Sequence, residues 1–359
     1  MSRLNKHGNS VVFSAGPAAY REIQADGFVA ERFGTLAGAS GGAKWLVLSQ
    51  LDRIIAGQVL PRLQSPLHLI GTSIGAWRMA CYGQNDPVAA IDRFEEAYLS
   101  QTYSQKPDRE EITARTAEVL DHLLGDQGVQ EILANPRTRT HVMTNRCRGP
   151  LATEHVVGLA LGLVSVATLN LASRTLLGTA FDRVLFYDKR DLPPFHSLDG
   201  FPMYQVELSE RNLKDAILAT GAIPLVLSGV RDIDGAPPGM YRDGGIIDYH
   251  LDFPHSAPDK LALYVHFYNF LKPGWFDKRL SWRQVSTEKS DRTLLISPSP
   301  EFVARLPNAK IPERSDFSNF APAERERIWR TTVTACKEMA DELQDVLENN
   351  RLAERVQPL

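Results

Sequence analysis

Apolar and polar positions along the chain alternate between short buried runs and amphipathic stretches. Residues 11–14 (VVFS), 34–37 (GTLA) and 67–70 (LHLI) are apolar runs of strand length, each leading into a glycine-containing turn. Residues 139–145 (RTHVMTN), 203–208 (MYQVEL), 261–267 (LALYVHF) and 293–297 (TLLIS) read as further strands. Between them the spacing changes. Trp45, Leu48, Leu51 and Ile55 recur three or four apart around Gln50, Asp52 and Arg53, which predicts a helix over 45–57. Asp86 followed by Pro87 supplies an N-cap and a proline at the first helical position, opening a helix with Val88, Ile91, Phe94, Ala97 and Tyr98 on its apolar face. A last helix is expected over about 322–348, where Ile328, Trp329, Val333, Cys336, Met339, Leu343 and Val346 form one stripe. Strands interleaved with helices predict an α/β fold with a largely parallel central sheet flanked by helices. No repeat or linker divides the chain, so residues 1–359 are expected to form one domain. It carries an apolar helical insertion near 151–180 and a loop-rich excursion near 272–320, a stretch rich in proline, aromatic and charged residues.

The insertion stands out because Val156 to Ser173 carries no charge over a length at the lower limit for spanning a bilayer. Ser165, Thr168, Asn170 and Ser173 interrupt it. Composition changes the picture only by exclusion. With 43% hydrophobic and 23% charged residues in 359, the chain is neither a disordered nor a multi-span membrane sequence. A formal net charge of −3 gives no electrostatic footprint for nucleic acid. Arg137, Arg139, Arg146 and Arg148 form a local basic group, read as a solvated strand face ahead of an anionic-headgroup contact. Cys81, Cys147 and Cys336 are odd in number and widely spaced, so packed, reduced thiols are expected. The N-terminal stretch shows no apolar run of leader length before its first glycine and proline, and a cytoplasmic protein is expected.

The chemistry concentrates at three places. Leu67 to Cys81 (LHLIGTSIGAWRMAC) reads strand, Gly71-Thr72-Ser73-Ile74-Gly75, helix. In such a GxSxG turn the glycines Gly71 and Gly75 permit a sharp bend that lifts the Ser73 hydroxyl above the sheet, at the positive end of the following helix. Gly38-Ala39-Ser40-Gly41-Gly42 also fits the pattern, but the two cannot both be the elbow. With Ser73 as nucleophile, residues 40–44 become the earlier glycine-rich loop that supplies oxyanion donors. With Ser40 in that role the earlier loop contains Pro17, which lacks an N–H, so Ser73 is preferred. Downstream, Met240 to Asp248 (MYRDGGIID) sets Asp243 in a tight turn before Gly244 and Gly245. An aspartate is a weak base in water, with a pKa near 3.9, so such a site must exclude water to raise its basicity.

Together, SGGAK at 40–44, GTSIGAW at 71–77 continuing through NDPVAAIDRFEEAY, and ATGAIPLVL with YRDGGIIDYHLDFP over 219–254 resemble the patatin-like phospholipase family. The resemblance covers about 40–100 and 200–255, and it implies a three-layer patatin-like fold and a lipid acyl hydrolase. It assigns Ser73 as nucleophile, Asp243 as base, and the backbone at Gly41, Gly42 and Ala43 as oxyanion hole, with no metal and no cofactor. The implied partner is a lipid or acyl-ester substrate, with peripheral contact to a membrane surface open and nucleic acid excluded. Three departures from the family pattern are visible: Ser40 stands in place of the first loop glycine and Trp45 in place of the last, and Asp248-Tyr249 replaces a segment where an asparagine is common.

Two other readings stay open. His250, His255 and His266 follow Asp243, so the chain order of a Ser–Asp–His triad is available. A catalytically silent lipid-binding protein on the same fold is the other. Because the 156–173 run lies between Ser73 and Asp243, a membrane crossing would separate them. It is therefore expected to be a buried or acyl-pocket helix ahead of a surface-docking one.

Overall fold

The computed structural model describes residues 9–359; residues 1–8, on which part of the leader expectation rests, lie outside them. Eleven strands form one sheet: β1 (Val11–Ala15), β2 (Phe33–Gly38), β3 (Leu67–Gly71), β4 (Thr138–Cys147), β5 (Phe181–Tyr187), β6 (Met203–Glu207), β7 (Val230–Arg231), β8 (Met240–Arg242), β9 (Leu261–Val265), β10 (Thr293–Pro298) and β11 (Val356–Pro358). Their order is β11-β1-β10-β9-β2-β3-β4-β5-β6, with the β7–β8 ribbon attached to β4. Only β1–β10 and β4–β5 run antiparallel along that path. Leu36, Ala37, Leu69, Ile70, Leu263 and Tyr264 are buried on successive positions. Parallel strands covered on both faces lose the inside–outside alternation and read as continuous apolar runs.

The helices flanking the sheet include α1 (Pro17–Asp26), α2 (Ser49–Ile54), α3 (Ile74–Tyr82), α4 (Pro87–Leu99), α5 (Arg109–Leu124), α6 (Gly128–Ala134), α7 (Val156–Ala172) and α8 (Leu213–Gly221). The Asp86 cap forms as expected, its carboxylate accepting from the Ala89 N–H. The helix expected over 45–57 is instead a 3-10 turn from Gly42, α2, and a π turn over Ile55–Val59. The expected 322–348 helix is divided at Cys336 into Pro322–Ala335 and Lys337–Glu348. Thr331, Thr332 and Thr334 each bond the carbonyl four residues back just before the break, a contact that bends helices.

The interior of α3 is held by a buried ion pair. Arg78 meets both carboxylate oxygens of Asp52 on α2, at 2.6 and 2.8 Å, and the Tyr82 hydroxyl donates to the same carboxylate at 2.9 Å. Trp45 stacks on Phe94 of α4 with centroids 4.1 Å apart. That packing accounts for a tryptophan at the end of the 40–44 loop. The strand β5 escaped the sequence reading because Asp182 and Arg183 interrupt its apolar run. Both are buried and paired: Asp182 with Arg146 and Arg148, and Arg183 with Asp248. Arg139 likewise closes on Asp191, so three of the four arginines in the 137–148 group are paired with acids, while Arg137 and Arg148 remain exposed.

The uncharged run forms α7, and it is half-covered rather than buried. Leu159, Leu163 and Val166 pack against a second apolar cluster with Ile246, Ile247 and Phe181. Val157, Leu161 and Val164 face out, Leu161 and Val164 being 64% and 65% exposed. This corrects the expectation of a buried helix. No helix among the described residues is long and apolar enough to cross a membrane.

Candidate active site

In the β2–β3 ladder Gly38 stands opposite Gly71, so the two glycine turns leave the sheet side by side. The turns approach closely: a Cβ at Gly75 would lie 2.1 Å from the Gly38 carbonyl oxygen, and one at Gly71 would lie 2.4 Å from the Ala76 nitrogen. Ser73 then begins α3 at φ +52°, a left-handed conformation that a side chain adopts only under constraint. The constraint is visible, since its N–H donates to the Thr220 hydroxyl at 2.9 Å and that hydroxyl is held in turn by the Met143 carbonyl at 2.5 Å.

Asp243 arrives by a different route. Strand β4 runs on past the end of β3, which stops opposite Val142. The vacated edge at Asn145–Cys147 is taken by β8 running antiparallel. Asp243, the residue after β8, is thereby brought back toward the mouth of the β3 turn. Asn145 fixes it there by donating to the Asp243 and Gly244 carbonyls at 2.8 and 3.1 Å. Gly244 and Gly245 serve close approach rather than left-handed geometry. A Cβ on the first would lie 2.2 Å from the Met143 carbonyl oxygen, and one on the second 2.2 Å from Ser40 Oγ.

The Ser73 hydroxyl donates to Asp243 Oδ2 at 2.8 Å, and Oδ1 accepts the Gly245 N–H at 2.7 Å. Both residues are buried. Burial pushes the Asp243 pKa up to about 6, against the opposing pull of the Ser73 and Gly245 hydrogen bonds. A carboxylate so placed is near-neutral in basicity, and its strongest side-chain contact is the hydroxyl it can deprotonate.

The other candidates separate clearly. Ser40 Oγ donates to Thr72 Oγ1 at 3.0 Å, and the Thr72 hydroxyl donates to the Asp248 carbonyl at 2.9 Å, so Ser40 is tied into a structural chain. The departure at Asp248 is part of the same scaffold, for its buried carboxylate grips Arg183 at 2.7 and 2.8 Å. His255 bonds Thr293 and the Leu251 carbonyl, and His266 bonds the Tyr268 backbone. His250 accepts from the Lys272 N–H, and burial holds it neutral. None of the three histidines hydrogen-bonds Ser73 or Asp243 among the described contacts, so the geometry does not form a Ser–Asp–His triad.

Ser73 and Asp243 open into a cavity of about 530 Å³. Gly41 and Gly42 line it, whereas Ala43 is buried behind it. Gly42 takes φ +56° with open space where a Cβ would be, at the start of a 3-10 turn whose first amides have no partner within the turn. Ile223, Pro224, Ile246, Phe270 and Trp275 give apolar wall, and Lys44, Lys278, Arg279 and Arg314 line the same space. Thr220, Asn145, Tyr249 and Lys278 were not singled out from the sequence as site residues. Thr220 lay within the quoted ATGAIP stretch, but nothing in its spacing points to a bond with the Ser73 amide. Helix α7 does not line the cavity; it supports the wall from behind, through Ile246 and through Asn170, which donates to Asp277 at 2.8 Å.

A family model described as patatin-like phospholipase matches residues 34–250. No curated protein matches the sequence. Among solved structures the chain is similar to VipD from Legionella pneumophila, at 13% identity and a TM-score of 0.33, over 76% of this chain and 56% of that one. The chain therefore spans little more than half the length of that structure.

Proposed function

This chain belongs to the patatin-like phospholipase family, and on that premise we propose that it is a lipid acyl hydrolase working through a Ser73–Asp243 dyad and an acyl-enzyme. The observation that carries the reading is the 2.8 Å contact between Ser73 Oγ and an Asp243 carboxylate whose pKa is raised to about 6. As Ser73 Oγ attacks the ester carbonyl carbon, its proton passes to Asp243 Oδ2. The carbonyl oxygen becomes an oxyanion against the amides of the Gly41–Gly42–Ala43 turn; one such donor typically contributes roughly 10²–10³ in turnover. Collapse breaks the bond to the leaving oxygen, which takes the proton from Asp243 and departs as the alcohol. Water then attacks the acyl-serine and gives its proton to Asp243, and the fatty acid leaves as Ser73 recovers its hydrogen.

The reading treats residues 1–359 as one hydrolase unit. It also gives α7 a role: the outward stripe of Val157, Leu161, Val164 and Leu171, on the helix that backs the cavity wall, suits contact with a lipid surface. Hydrolysis of a short-chain p-nitrophenyl ester tests the catalytic reading. Ser73→Ala and Asp243→Asn abolish it while Ser40→Ala retains most of it; loss with Ser40→Ala and retention with Ser73→Ala would reverse the assignment. Flotation with anionic liposomes tests the surface, since Leu161→Asp with Val164→Asp is expected to abolish binding. A wild type that never floats refutes it.

A further inference from the structure

Four of the cavity's cations come from outside the residues that the family model matches, and one of them, Lys272, donates its ammonium to the Leu280 and Arg283 carbonyls at 2.8 Å. Lys278, Arg279 and Arg314 stand on the 272–320 excursion and line the space shared with Ser73, while Lys44 faces them from the 40–44 turn. Cations close by are neutralised: Arg283 meets Asp277, and Lys310 meets Glu313 and Asp316. Among the described residues, Lys44, Lys278, Arg279 and Arg314 take part in no ion pair. The acids in the cavity wall are Asp243, engaged by Ser73, and Glu313, engaged by Lys310. A chain of net charge −3 thus concentrates unpaired positive charge at one opening.

These charges also act on one another. Lys278 is exposed as a residue, but its ammonium stands 3.9 Å from the Tyr249 ring centroid. Withdrawal from water there, followed by the field of Lys44, lowers its pKa to about 7. Lys44 is lowered as well, by burial first, with Arg314 among the repelling charges. An arrangement of like charges around an empty space is relieved by an anion entering it, and guanidinium groups favour the oxygens of phosphate through paired N–H donors.

We infer that Lys278, Arg279 and Arg314, with Lys44 behind them, form an anion-binding subsite that selects phosphate-bearing acyl esters of net negative charge over zwitterionic and uncharged esters of equal acyl length. The inference rests on the hydrolase reading and names the charge of its substrate. The phosphate occupies the opening while the ester carbonyl reaches Ser73, and the apolar wall at Ile223, Ile246 and Trp275 receives the acyl chain.

The test compares kcat/KM of the full chain for dihexanoyl phosphatidic acid, dihexanoyl phosphatidylglycerol, dihexanoyl phosphatidylcholine and dihexanoylglycerol, each as monomer and again in micelles. The anionic substrates are expected to lead phosphatidylcholine by roughly tenfold, with the ratio shrinking as salt screens the opening. In Arg279→Gln/Arg314→Gln, and separately in Lys278→Gln, that ratio is expected to fall toward one. A ratio is independent of how much of each preparation is folded. Comparable rates on all four substrates, an unchanged ratio in both variants, or a preference confined to micelles would overturn the subsite. Calorimetric binding of dihexanoyl phosphatidic acid to Ser73→Ala separates the two readings. Binding that needs Arg279 and Arg314, in a wild type that cleaves none of the esters, removes the hydrolase reading and keeps the subsite. Cleavage of the uncharged ester without charge preference does the reverse.

Discussion

Replacing Asp243 with asparagine removes the proposed base and, on the same physical grounds, stabilises the fold. The carboxyl has an ordinary pKa of 3.8 and about 6 in the folded protein, because burial penalises its ionised form. At pH 8 the group is ionised in both states, and the difference corresponds to roughly 3 kcal/mol against the native state. The folded-state pKa is the higher one, so the folded chain holds its proton more tightly. Stability from this group is therefore complete below about pH 4 and is lost as pH rises through 6. Asparagine escapes the penalty and keeps both contacts, since its Oδ1 can accept from Gly245 and its Nδ2 can donate to Ser73 Oγ. Its advantage is then about 0.5 kcal/mol at pH 4 and approaches 3 kcal/mol above pH 7. At about 2.1 cal/mol/K of unfolding entropy per residue, that is a rise in thermal midpoint of about 4 °C for a chain of 359 residues. Paired calorimetric scans of wild type and Asp243→Asn between pH 4 and 8 measure it. A variant that is less stable at pH 8, or equally offset at every pH, would refute the claim that Asp243 is a destabilised, ionised base.

Other consequences follow from the same contacts. The kcat/KM for a neutral p-nitrophenyl ester should fall about tenfold per pH unit below about pH 6, where Asp243 takes up its proton, and a profile flat down to pH 4.5 would contradict that assignment. Arg78→Met leaves Asp52 charged and buried without its partner and should cost about 3–5 kcal/mol in urea unfolding, most of it recovered in Arg78→Met/Asp52→Leu. Gly75→Ala drives a methyl to within 2.1 Å of the Gly38 carbonyl oxygen and should prevent recovery of folded protein. Gly42→Ala, strained only by its φ of +56°, should lower stability by about 1–2 kcal/mol, which thermal melts distinguish.

The parts of the site that are local in sequence were legible there. Gly71 to Gly75 carries its own geometry, since a sharp strand-to-helix turn needs small residues where backbones touch, and the 40–44 loop is recognised from the order in which it precedes Ser73. Asp243 was legible as a turn aspartate, but its approach to Ser73 depends on β4 outrunning β3 so that β8 can take the free edge. No spacing in the sequence expresses that register. The strand β5 was hidden because Asp182 and Arg183 look like surface charges until their buried partners are known. Helix α7 misled for the converse reason: an uncharged run reads as buried, yet only one side of it meets the core. The cations of the 272–320 segment read as loop charges because what makes them distinctive is the absence of partners around a shared cavity.

Labelling with a fluorophosphonate probe, followed by peptide mapping, tests the central claim most directly. A single adduct on Ser73 is expected, strongly reduced in Asp243→Asn and unaffected in Ser40→Ala. An adduct on Ser40, or ester cleavage by a protein whose Ser73 never reacts, would contradict it.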